Sequence, residues 1–161
     1  MKILVLSDSH SSLRFMNKCM ETVKPDAVVH LGDYYDDGEV LANSYPYIPV
    51  HQVAGNCDRY RCPAHAQEVL CYTLGGAMVY MTHGHRLQVK SGIGGLVAAA
   101  RCQGAQVALY GHTHIPDCHR EDDGLWVLNP GSAGSGCAGI LETDGMGAIT
   151  CYLLTEKNLG E

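Results

Sequence analysis

Five short segments of this 161-residue chain present Asp, Asn or His among small residues: Asp8-Ser9-His10, Gly32-Asp33, Gly55-Asn56-Cys57-Asp58, His83-Gly84-His85 and Gly111-His112-Thr113-His114. Oxygen donors mixed with imidazoles suit Mn, Ni, Fe, Zn or Mg ions, and the mixture leans toward the transition metals. The i, i+2 spacing of Asp8/His10 and His112/His114 is compatible with chelation, since strand residues two apart share a face and a loop can aim both at one ion. Two cations about 3.5–4 Å apart need a bridging carboxylate to offset their repulsion, and such a pair clamps both oxygens of an in-line phosphoryl displacement. Asp33 is the best candidate for that bridge. Asp8 and Asp33 bring negative charge while the other proposed ligands are neutral, so bound cations leave the site net positive and ready for a phosphate anion.

Such loops need strands behind them, and each of the five segments follows a predicted strand. Residues 2–6 are a short apolar run bounded by polar residues, as expected of a strand buried on both faces. Leu13, Met16, Met20 and Val23 recur at helical spacing between a Ser11 or Ser12 cap and Pro25. Residues 27–31 then complete a strand, helix, strand unit with parallel pairing. A short helix over 37–44 and a strand over 48–54 repeat the pattern. The second half changes character: residues 68–74 and 77–82 flank Gly75-Gly76 and read as a β-hairpin. A helix over 92–103, a strand over 107–110 and three strand-like runs at 125–128, 138–142 and 148–154 follow, with turn signals at Pro130-Gly131 and Asp144-Gly145. The open α/β arrangement puts ligands at the carboxyl ends of such strands.

Bulk properties narrow the class. The length suits one domain spanning residues 1–161, and 46% hydrophobic residues describe a globular chain. A formal net charge of −6 argues against attraction of nucleic acid by bulk electrostatics, so a phosphate needs a local cation. The eight cysteines show no CxxC or other tight pairing, and the plain reading is reduced thiols in a cytoplasmic protein. The opening apolar run ends at Asp8 rather than at a cleavage site, and no stretch approaches the length of a membrane-spanning helix. Small acidic domains of this kind often self-associate, although no segment names an interface for a homo-oligomer.

The ordered segments D-x-H, G-D, G-N-x-D, H-G-H and G-H-T-H resemble those of the calcineurin-like metallophosphoesterases. Asn56-Cys57-Asp58, the small size and Asn129-Pro130-Gly131-Ser132 are similar to its short bacterial and archaeal phosphodiesterase branch, and the likeness runs from Met1 to about Tyr152. The resemblance implies an α/β fold, a four-layer α/β/β/α sandwich of two mixed sheets flanked by helices. It implies two divalent ions, Mn foremost: one held by Asp8, His10, Asp33 and His114, the other by Asp33, Asn56, His83 and His112. The expected activity is hydrolysis of a small phosphoester, a diester first, by a metal-activated hydroxide attacking in line, with Asp33, Asn56, Asp58 and His83 as the residues that carry the reaction. Many members have a proton-donating His after the motif Asn. Here Cys57 stands in that place, which favours diesters or activated leaving groups, with Asp58 orienting a neighbour. The run Ala133-Gly134-Ser135-Gly136 also departs from the bulkier or basic residues of related chains.

The remaining candidates read more plainly. His30, His51, His65 and His119 lack a motif and are expected as core or surface histidines. His85 is expected to stand behind the ligands or to face substrate, as is Cys57. The tyrosines at 34, 35, 45, 47 and 60 read as packing or rim residues, and Arg59 and Arg61 as solvated cations. A rival reading is a non-catalytic scaffold of the same fold that binds a protein partner. A purely structural zinc domain is disfavoured, because such sites are closed, tetrahedral and rich in Cys.

Overall fold

The computed structural model describes residues 1–159; the last two residues of the expected 1–161 domain lie outside the described residues. The apolar run at the start forms β1 (Lys2–Leu6), whose side chains alternate between two cores. Ile3 and Val5 join a cluster with Val79, Met81 and Leu109, whereas Leu4 and Leu6 pack with Phe15, Met16 and Cys19. The latter three lie on α1 (Leu13–Val23), which ends at Lys24 in the left-handed conformation before Pro25. Ser12 occupies the N-cap, but its hydroxyl makes no capping bond.

The first sheet continues through β2 (Ala27–His30) and β3 (Val50–Gln52), both parallel to β1 and joined by α2 (Tyr35–Ser44). Helix α2 starts two residues earlier than expected, directly behind Asp33. Strand β3 is shorter than the expected 48–54. Pro49 has no N–H to pair, and beyond Gln52 the chain turns away as Ala54 N–H bonds Gln67 O at 2.8 Å.

The second sheet opens with the expected hairpin, β4 (Val69–Leu74) and β5 (Ala77–Thr82). Gly75 and Gly76 have φ of 57° and 86°, as a two-residue turn between twisted strands requires. Two short 3-10 turns precede α3 (Gly94–Cys102), which leads into β6 (Val107–Leu109), parallel to β5. Then comes β7 (Asp117–Arg120), a strand the apolar pattern did not announce because its DCHR sequence suits an exposed sheet edge. Strand β8 (Trp126–Asn129) pairs with β6 and β7, while β9 (Cys137–Thr143) and β10 (Ile149–Thr155) return to the first sheet as an antiparallel pair beside β1.

The sheet orders are β10-β9-β1-β2-β3 and β4-β5-β6-β8-β7. The sheets enclose the core that holds Ile3, Val29, Val79 and Leu128. Helices α1 and α2 cover the outer face of the first sheet, while Leu96, Val97 and Ala100 of α3 cover Tyr80, Ala108 and Val127 of the second. This is the four-layer α/β/β/α sandwich of two mixed sheets. All eight cysteines are free. No helix of the described residues is long and apolar enough to cross a membrane. The loops after β1, β2, β3, β5 and β6 leave the carboxyl ends of parallel strands, and all five motif segments lie on them.

Candidate metal centre

The motif loops approach so closely that side chains on their glycines would not fit. A Cβ on Gly55 would overlap Asp33 Oδ1, and one on Gly111 would overlap Ser7 Oγ. Crowding is matched by backbone strain. Among the described residues, nine non-glycine residues have positive φ, and five of them are proposed ligands: Asp8, His10, Asp33, His112 and His114. Each such conformation costs about 1–2 kcal/mol, so the rest of the fold must hold it in place.

The centre is built on Asp8, Asp33 and His83, all buried. Nδ1–H of His83 donates to Leu31 O at 2.7 Å, leaving Nε2 to face Asn56 Oδ1 at 3.1 Å, Asp33 Oδ2 at 3.5 Å and Asp8 Oδ1 at 3.8 Å. That backbone bond presents Nε2 to a metal. Asp8 Oδ2 accepts the Ser7 hydroxyl at 2.6 Å and the His112 N–H at 3.1 Å, while Oδ1 lies 3.1 Å from His114 Nε2. Asp33 Oδ1 accepts the Cys57 N–H at 2.9 Å.

Two overlapping donor groups result, Asp8/His10/His114 and Asp8/Asp33/His83, each with ligand atoms within 4.8 Å of one another. Asp8 is common to both, whereas the expected bridge Asp33 belongs to one. Asn56 and His112 adjoin the second group, the His112 ring lying 5.0 Å from that of His83. All seven proposed ligands are therefore brought to one place.

The electrostatics fit a divalent cation. Among the described residues, neither buried carboxylate pairs with Lys or Arg; the ring nitrogens of His83 and His114 are their neighbours instead. Burial works to raise the Asp33 carboxyl, but the His83 hydrogen bond and charge and the Cys57 contacts hold it far below the usual range. Burial likewise opposes charge on His83, yet Asp33, Asp8 and the Leu31 carbonyl outweigh it and raise its pKa. His112 is pushed down by burial and then by His83 and Lys90. Two buried carboxylates facing the His83 ring favour positive charge between them, whether a proton on the imidazole or a metal ion.

The residues expected beside the ligands divide. The His85 ring lies 5.5 Å from that of His83, with Nε2 3.8 Å from Glu68. It lines a hollow of about 550 Å³ with Asn56, Arg59, Glu68 and Arg86. Cys57 is exposed, and its Sγ lies 3.5 Å from Asn56 Nδ2. Burial and then the neighbouring Asp33 push the thiol up, away from thiolate. The Asp58 carboxylate is fully buried and faces backbone N–H groups, so it does not reach the centre to act on a substrate.

Several supporting residues escaped the sequence reading. Asp37 accepts the Ser11 N–H at 2.7 Å and so holds the loop of His10. Ser132 donates to Asp8 O, and Asn129 donates to Gly111 O and Thr113 Oγ1. Asn129 and Ser132 sit in the run Asn129-Pro130-Gly131-Ser132, which was a signal, though not of which loops they tie. Arg61 is not a free cation: its guanidinium lies 4.3 Å over the Tyr34 ring, which itself packs 4.8 Å from His10. His30, His51 and His119 are the structural histidines expected, the first fully buried with Nε2 3.0 Å from Ser9 Oγ.

A fold of this topology with such donors at its strand ends defines a class. The model of the calcineurin-like phosphoesterase superfamily domain matches residues 1–149, and the chain belongs to that superfamily. It is 31% identical over 134 residues to a probable metallophosphoesterase of Mycoplasma pneumoniae, covering 81% of this chain and 78% of the relative. The structure of a conserved protein of Streptococcus pneumoniae, described as a predicted phosphoesterase, superposes with a TM-score of 0.75 at 30% identity, covering 96% of this chain and 88% of that one. Vps29 of Entamoeba histolytica in complex with zinc shares the fold, with a TM-score of 0.73 at 19% identity and coverage of 96% and 99%.

Proposed function

We propose that this chain is a dinuclear metal-dependent phosphoesterase that prefers small phosphodiesters. The observation that carries the reading is the convergence of Asp8, Asp33 and His83 donor atoms within 4.8 Å in a buried site that, among the described residues, has no Lys or Arg partner. Asp8, His10, Asp33 and His114 would hold one ion, and Asp33, Asn56, His83 and His112 would hold the other. Mn is the first choice, with Ni, Fe, Zn and Mg as alternatives, since the donor set mixes oxygen and imidazole. Divalent ions held there supply charge neutralisation of the phosphoryl oxygens and acidification of water.

The protein's own groups do the rest. The Leu31 carbonyl orients His83, and the Cys57 N–H fixes the Asp33 carboxylate. His85 and Arg59 border the hollow beside Asn56, where a substituent of the ester lies. Cys57 is a poor proton donor to a leaving group, because burial and Asp33 raise its pKa. Without a strong acid there, esters with good leaving groups turn over best. We take the domain to be one catalytic unit and the protein to be cytoplasmic.

A metal-by-substrate activity matrix tests the reading. Mn-loaded protein is expected to hydrolyse a bis-aryl phosphate faster than the aryl monoester and to lose that activity to a chelator. Unimpaired hydrolysis by metal-stripped protein ends the proposal. Stoichiometric metal binding with no cleavage of any ester favours instead the non-catalytic scaffold that binds a protein partner.

A further inference from the structure

Residues Gly32, Asp33 and Tyr34 are three successive positions with positive φ, 94°, 57° and 66°. Two are not glycine, so this stretch between β2 and α2 stores about 2–4 kcal/mol of conformational strain. The N–H of Asp33 within this turn, that of Tyr35 just after it and that of Gly55 on the neighbouring loop converge on one anion. The anion here is a side chain of the protein. Asp58 Oδ2 accepts the N–H of Asp33 at 2.8 Å and of Gly55 at 2.7 Å, and Oδ1 accepts that of Tyr35 at 2.9 Å. Asp58 is fully buried, and its own N–H bonds Gly55 O at 3.2 Å. One carboxylate thus closes the loop that carries Asp33 and binds it to the loop that carries Asn56.

We infer that Asp58 is a positioning residue rather than a catalytic one: it holds Asp33 in its strained conformation so that the carboxylate reaches two ions at once. This rests on the dinuclear reading proposed above. At Gly55, a Cβ would overlap Asp33 Oδ1 and crowd Asp33 N, so the two loops meet at backbone contact. The three N–H groups that Asp58 satisfies lie in the loops of Asp33 and Asn56. Asp8 is held by Ser7 and Ser132, the loop of His10 by Asp37, and the loop of His114 by Asn129. Loss of the Asp58 charge therefore loosens the loops of Asp33 and Asn56, so the ion that depends on both loops is affected more than the ion that shares only Asp33.

The test is metal binding rather than turnover. Wild type, Asp58→Asn and Asp58→Ala are titrated with Mn²⁺ by calorimetry, with electron paramagnetic resonance of the loaded proteins and melting of the metal-free ones. Asp58→Asn keeps the shape and one acceptor oxygen, so it serves if the alanine variant fails to fold. Wild type is expected to take up two ions with an exchange-coupled spectrum. The asparagine variant is expected to bind the ion on the Asn56 side about 10–100-fold more weakly, and the other ion, which shares only Asp33 with that side, more weakly by a smaller factor. Its coupled signal vanishes at two equivalents and returns in excess Mn²⁺. Unchanged affinities in a folded variant overturn the inference. So does an equal weakening of both ions together with lost melting cooperativity, the mark of general destabilisation. Wild type that binds fewer than two ions brings down the dinuclear reading itself, a failure visible before any variant is compared.

Discussion

The centre has a buried half and a rim half, and they are built by different means. Asp8, Asp33 and His83 are buried, and each is fixed by a backbone group: the His112 N–H, the Cys57 N–H and the Leu31 carbonyl. His10, Asn56, Cys57 and His114 are exposed, and the side chains of Asn56 and His114 lean on His83 and Asp8 below while that of His10 packs on Tyr34 and His114. The buried half is preorganised, and its buried charge is costly until a cation arrives. The rim half adapts, and its worth lies in completing a coordination shell already begun below. Substitutions in the two halves should therefore differ in whether excess metal repairs them.

The largest effect is expected at the base. Asp33→Asn keeps the shape of the side chain but removes a buried negative charge, and kcat/KM for a diester at saturating Mn²⁺ should fall by about 10³-fold. More metal should not restore it, because the defect is charge rather than occupancy. Loss smaller than about tenfold would erase the distinction between the halves.

Metal removal comes next. Ions at about 100 times their Kd add about 2.7 kcal/mol each, and for a chain of this size that is about 5–10 °C in Tm. The gap between loaded and chelated protein should widen with pH. The raised pKa of His83 gives the metal-free protein stability that is fully present below the ordinary histidine value and lost as pH climbs through the raised one. Metal binding displaces the same proton and so strengthens with pH. Scanning calorimetry with and without chelator at about pH 6 and about pH 8.5 checks the sign. A gap that narrows contradicts the upward shift that the two carboxylates give His83.

How the two halves were legible in the sequence differs as well. The ligands could be read because their chemistry is local: Asp, Asn and His beside glycines, each after an apolar run. The two sheets followed from the same runs, since β1, β2, β5 and β6 are buried on both faces and their side chains are almost wholly apolar. Strand β7 was missed because an exposed edge has no such pattern to show. The holding groups were missed for another reason. Asp37, Ser132 and Asn129 act across more than a dozen residues of chain on backbone atoms, and a sequence does not say which N–H a carboxylate will meet. Asp58 could be singled out as a group that orients a neighbour, but not matched to its partners, the N–H groups of Asp33, Tyr35 and Gly55. The Arg61–Tyr34 stack escaped for the same lack of local pattern, as both residues look like ordinary rim residues.

The rim predictions are smaller. His10→Ala and His114→Ala should each weaken Mn²⁺ binding by about 10–100-fold, with most of the diesterase activity recovered in excess metal. Activity that stays lost at saturating metal would move these histidines into the class of Asp33.

The smallest effect concerns the leaving group. Cys57 sits where many relatives place an acidic imidazole, and its thiol is raised by burial and by Asp33. Cys57→His puts a group that titrates near neutrality at an exposed position beside Asn56. General acids contribute about 10²–10⁴-fold when fully oriented, and an imidazole without an evolved partner should recover only about tenfold of that on an aryl monoester. The diester rate should change less, because the gain requires a leaving group that needs its proton. The ratio of the two rates, measured on one Mn-loaded preparation, cancels any difference in metal content. An unchanged ratio would mean that the residue after Asn56 does not set the bond preference, and the selection would then lie in the hollow lined by Arg59 and His85.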